Sequence, residues 1–120
     1  MTITELYNEF GADGNDVLDR IGNEDRLKKY LSSFLKDGSM REIDLAIGEK
    51  DATVVFRGAH TMKGICLNLG ISSLAKASSE LCESLRGRTS YNALDNYSAE
   101  LKALKEEYKR VRALISEFVG

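Results

Sequence analysis

Leu94, Tyr97, Leu101, Leu104, Tyr108, Val111, Ile115 and Phe118 recur in alternating steps of three and four residues near the C-terminal end of the chain. A strand would need a period of two, so this stripe commits the segment 92–118 to one long α-helix with a continuous apolar face. That face has to be covered. A coiled-coil oligomer would cover it, and so would a bundle built from the rest of the same chain. Other segments with the same period favour the bundle. Residues 24–36 set Leu27, Tyr30, Leu31, Phe34 and Leu35 on one side, behind an N-cap at Asn23. Residues 52–69 set Val55, Ala59, Met62, Cys66 and Leu69 on one side, behind a cap at Asp51. A further helix opens at Ser72 or Ser73, aligns Leu74, Ser78, Leu81 and Leu85, and closes at Gly87. No proline interrupts any of the 120 residues.

The expected fold is therefore all-α: an antiparallel four-helix bundle of the segments 24–37, 52–69, 71–87 and 92–118. It forms a single domain over 1–120, with the core bundle at about 24–118, and a monomer is expected. Thr2 and Glu5 make a capping box for a short helix over 2–10, whose Ile3, Leu6, Tyr7 and Phe10 point inward. The pattern breaks over 11–15, and 17–21 adds one or two turns. These two short N-terminal helices are expected to cover one end. Ser39 and Glu42 read as a capping box for a short helix that buries Ile43, Ala46 and Ile47.

Several function classes drop out on composition. The formal charge of −2 provides no clustered basic surface for nucleic acid. No apolar stretch is long enough for a bilayer span, and the start of the chain lacks a signal peptide's basic and apolar regions, so a cytoplasmic location without membrane insertion is expected. Cys66 and Cys82 read as reduced, part-buried thiols. With one histidine and two cysteines, the chain has too few soft ligands for zinc, and no glycine-rich nucleotide loop occurs.

The one histidine, His60, carries the functional argument. On a helical wheel it falls opposite the apolar stripe, together with Thr53, Phe56, Arg57, Lys63, Gly64 and Leu67. Imidazole exchanges its proton near neutral pH, so it can attack phosphorus and later leave. A transferred phosphoryl group needs countercharge, which Lys63 at i+3 can supply as a point charge and Arg57 at i−3 more weakly. Phe56 and Leu67 bracket the imidazole with apolar surface suited to docking a partner. Gly64 costs a helix about 1 kcal/mol relative to alanine, and the physical return is clearance for a partner closing on the ring. No carboxylate lies within a turn of His60 on its own helix to activate water.

Ala59-His60-Thr61-Met62-Lys63-Gly64, followed by Asn68-Leu69-Gly70, resembles the signature of histidine-containing phosphotransfer (HPt) domains of bacterial phosphorelays. Phe56-Arg57 upstream and Leu74-Ala75 downstream fit the usual surroundings. The resemblance implies that His60 is phosphorylated, through Nε2, that Lys63 steadies the phosphoryl group, and that Gly64 leaves room for the partner. Asn68 and Gly70 match positions that shape the helix end. The implied partners are response-regulator receiver domains, with a hybrid sensor histidine kinase as a further candidate. The receiver brings its own aspartate and Mg²⁺, so no cofactor is expected in this chain and no autonomous kinase activity. Leu67 departs from the family outline, which usually has a small residue there, and points to a particular receiver. An alternative use of the same face is a non-catalytic module that docks or sequesters receiver or kinase domains.

Overall fold

A computed structural model of the chain describes residues 1–86 and 98–120. Its helices are α1 (Ile3–Glu9), α2 (Gly14–Ile21), α3 (Glu24–Leu35), α4 (Ser39–Gly48), α5 (Ala52–Leu69), α6 (Ser72–Leu85) and α7 (Ser98–Val119). There is no strand among the described residues. The expected stop at Gly87 and the start of the last helix at 92 lie outside them.

Local chemistry explains most helix starts. The Thr2 hydroxyl accepts from the Glu5 N–H at 3.1 Å, while the Thr2 N–H donates to Glu5 Oε1 at 3.0 Å, a complete capping box. Asn23 accepts from the Arg26 N–H at 2.8 Å and Asp51 from the Val54 N–H at 3.2 Å. The box expected at Ser39 and Glu42 does not form. Gly38 is the N-cap of α4, and the Asp37 carboxylate takes the Ser39 N–H at 2.9 Å. An ionised carboxylate is the stronger acceptor, and Ser39 itself turns inward to 5% exposure. α2 spans about two turns but starts earlier than the expected 17–21, because Asp13 caps it and Gly14 permits close packing on α1. A Cβ at Gly14 would lie 2.7 Å from Ile3 Cγ2.

Cross-helix contacts fix the directions. α3 and α4 run in series and share one position of the bundle. Along α7, Lys105 pairs with Asp44 of α4 at 2.9 Å, Arg112 donates to the Leu35 carbonyl of α3 at 2.6 Å, and Lys28 sits 5.2 Å from the Phe118 ring centroid. Numbers fall on one side as they rise on the other, so α7 is antiparallel to the α3–α4 pair. α5 is antiparallel to the same pair, with Gly58 against Ile43 near its start and Ile65, Asn68 and Leu69 beside Arg26 and Tyr30 near its end. α6 packs between α5 and α7. The result is the expected antiparallel four-helix bundle, with the first position split at 36–38.

The core is formed by Leu27, Leu31, Ile43, Val55, Ala59, Met62, Cys66, Leu74, Leu81, Leu85, Leu104, Val111 and Ile115, among others. Tyr30 departs from its expected inward face and is 45% exposed, because it edges the groove between α3 and the end of α5. α1 and α2 close the end of the bundle where α5 turns into α6. There the Tyr7 hydroxyl donates to the Leu69 carbonyl at 2.6 Å, the Ser73 N–H donates to the Phe10 carbonyl at 3.0 Å, and Arg20 donates to the Asn68 carbonyl at 2.9 Å. Among the described residues no helix is long and apolar enough to cross a membrane.

Candidate functional site

α5 buries Val55, Gly58, Ala59, Met62, Cys66 and Leu69, which leaves His60 on the exposed side of a helix held rigid by its neighbours. Its imidazole makes no hydrogen bond or ion pair among the described residues. Among the described residues its one aromatic contact is with Phe56, a turn earlier, whose ring lies nearly parallel at 10° with centroids 6.2 Å apart. Phe56 is half-buried and packs against the core, so it offers the imidazole a fixed wall. Lys63 is partly exposed one turn on, and Leu67 is 56% exposed two turns on.

The glycines of α5 separate into two kinds. At Gly58 a Cβ would come 2.6 Å from Ile43 Cγ1, so glycine is needed for α4 to lie close. Gly70 adopts φ +72° as the left-handed cap of the helix, with its N–H and that of Ile71 directed to the last carbonyls, including Ile71 N–H to Cys66 O at 2.8 Å. Val17 and Tyr7 fill the space where its side chain would go. Gly64 differs from both: it is exposed, helical, and a Cβ there would meet nothing within 4 Å. Nothing inside the described chain requires glycine at 64.

Two candidates sit apart from this cluster. Arg57 lines a shallow groove with Glu42, Val54, Gly58 and Thr61, on the α4 side of α5. Asn68 is exposed, and its backbone carbonyl serves as the anchor for Arg20.

The last turn of α6 contributes residues that the wheel of α5 does not reveal. The Arg86 guanidinium lies 5.5 Å from the Phe56 ring centroid and is bonded to Glu83 at 2.8 Å and 3.3 Å. Arg86 holds the Glu83 carboxylate below its ordinary range, with Lys63 adding a smaller pull. The spacing of Glu83 and Arg86 suggests a helical ion pair. That it meets α5 at Phe56 depends on how the two helices are rotated. Cys82 donates from Sγ to the Phe56 carbonyl at 3.7 Å, and burial raises its pKa, which marks it as a packing residue rather than a nucleophile. Among the described residues no three His, Cys, Asp or Glu side chains converge as a metal would require.

This arrangement leaves an imidazole exposed beside Phe56, with Lys63 one turn on, Arg86 behind Phe56, and no carboxylate bonded to the imidazole among the described residues.

Neither curated proteins nor solved structures returned a match. The family profile described as Hpt domain matches residues 29–114, from the middle of α3 to near the end of α7. That family comprises helical bundles for histidine phosphotransfer in two-component signalling, which interact with receiver domains in phosphorelays. With a match over most of its length, and with a solvent-facing histidine on the central helix of its bundle, the chain belongs to the Hpt domain family.

Proposed function

We propose that the chain is a phosphoryl carrier in which His60 takes a phosphoryl group from an aspartyl phosphate on one receiver domain and delivers it to another. The observation that carries this is an exposed imidazole, free of hydrogen bonds among the described residues, beside Lys63 and the open helix surface at Gly64. On loading, the unprotonated imidazole nitrogen forms a bond to phosphorus while the acyl phosphate P–O bond breaks. The electron pair of that bond leaves with the receiver's carboxylate. The proton on the second ring nitrogen stays, and the resulting phosphoimidazolium is a good leaving group for the next aspartate. Both donor and acceptor are high in energy, so exchange runs either way.

Lys63 is the cation we assign to the equatorial oxygens in flight, and Phe56 fixes the ring for in-line attack. Arg57, on the other side of α5, is a weaker partner for the same oxygens. Phe56 and Leu67 form the apolar rim for docking, and Leu67 selects among receivers. The Mg²⁺ that neutralises the phosphoryl group belongs to the receiver.

The test is transfer itself. A receiver charged from radiolabelled acetyl phosphate is mixed with the chain and, in parallel, with His60→Gln. Acid-labile, base-stable label is expected on the wild type alone. Label on neither protein across a panel of receivers, with both folded and binding, would replace the carrier with a docking module.

A further inference from the structure

The pair at the end of α6 is joined to His60 by an unbroken series of contacts. Arg86 donates to Glu83 through Nε at 3.3 Å and a terminal nitrogen at 2.8 Å, a fork that fixes the plane of the guanidinium. That guanidinium rests on Phe56 at 5.5 Å, and Phe56 lies alongside the imidazole at 6.2 Å. The backbone of Phe56 is tied to the same helix by Cys82. Glu83 therefore holds a cation against the aromatic wall of the His60 face.

We infer that Glu83 is a positioning residue that sets the phosphoryl poise of His60, by holding Arg86 against Phe56 and by competing with the phosphoryl group for Arg86. The inference rests on the carrier reading above. In the exchange, a receiver carboxylate oxygen bonds to phosphorus and the imidazole nitrogen departs with the N–P electron pair; loading is the reverse. Glu83 takes part in no bond made or broken. Before loading, its charge balances that of Arg86. After loading, two anions draw on the same cation and repel each other. The cost falls on the loaded state alone, so Glu83 tilts the exchange toward the receiver. A carrier that has to release its cargo benefits from such a tilt. Glu83 and Arg86 are each 59% exposed, so screening holds the effect to a few-fold.

The experiment mixes the full chain with one phosphorylated receiver in known amounts and measures label on each partner at equilibrium. Glu83→Gln is expected to move the partition about three- to fivefold toward phosphohistidine at low salt, with the shift shrinking as salt rises. Glu83→Asp, which keeps the charge, is expected to stay near wild type. Arg86→Ala should shift the partition toward the receiver and change the imidazole resonances of His60, since Phe56 loses its support. In the Arg86→Ala background, Glu83→Gln should have less than half its effect. A partition for Glu83→Gln equal to wild type, with normal loading, overturns the inference, as does an undiminished shift in the Arg86→Ala background. A wild type that loads from no receiver of the panel rejects the carrier reading instead, so the two failures are distinct.

Discussion

Replacing Gly64 with alanine should make the protein more stable and a worse carrier at once. The position is inside α5, and a Cβ there meets nothing within 4 Å, so the substitution adds no clash. It removes the excess freedom of glycine from the unfolded chain, worth about 1 kcal/mol in a helix, or roughly 4 °C in Tm for a domain of this size. Gly58→Ala should behave oppositely. There the new carbon lies 2.6 Å from Cγ1 of fully buried Ile43, and overpacking of about 1–3 kcal/mol outweighs the helix gain. Gly70→Ala should also destabilise, since φ +72° costs an L-residue about 1 kcal/mol or more and Tyr7 Cε1 waits at 3.1 Å. Urea denaturation followed by circular dichroism reads all three. Stopped-flow transfer from a labelled receiver reads the second half: Gly64→Ala slowed, Gly64→Leu obstructed outright. A destabilised Gly64→Ala would mean that the position is packed after all. A leucine variant that transfers normally would dispose of the clearance argument.

Other expectations follow from single residues. Lys63→Ala should slow transfer about tenfold while receiver affinity changes less than about twofold, because its charge is needed on the phosphoryl oxygens rather than for docking; rates within twofold of wild type would remove it from the chemistry. Leu67→Ala should alter stability by no more than about 0.5 kcal/mol, since the side chain is 56% exposed, yet weaken its receiver about tenfold. A large loss of Tm instead would show that Leu67 supports the fold. Burial pushes the Cys66 thiol from its ordinary value of 9.0 up to about 12. The folded state thus keeps a proton that the unfolded state releases first, so this contribution is intact below pH 9 and is lost as pH rises toward 12, by up to about 1.4 kcal/mol per pH unit. Cys66→Ala should flatten that part of the alkaline stability curve, and an unchanged slope would refute the assignment.

The apolar stripes of α3, α5, α6 and α7 were legible because burial imposes the period of 3.6 directly on residue type. His60, Lys63, Gly64 and Leu67 were legible for the complementary reason: on a helix with one buried face, whatever falls opposite must face outward. Caps were read where one acceptor stood alone, as at Thr2, Asn23 and Asp51. The reading of Ser39 failed because Asp37 competes for the same N–H. Tyr30 failed because its period places it at the margin of the apolar face, where the neighbouring helix decides burial.

Taken alone, the sequence determined the helical class, the outward histidine and its companions on α5, since each depends only on neighbours a few residues away. Tertiary structure decided that α3 and α4 share one bundle position, that Gly58 answers to Ile43 while Gly64 answers to nothing inside the described chain, and that Glu83 and Arg86 reach the His60 face. Those facts turn on the rotation and offset of helices far apart in the chain. A one-dimensional period says which side of a helix is buried, but it does not say which residue of another helix lies against it.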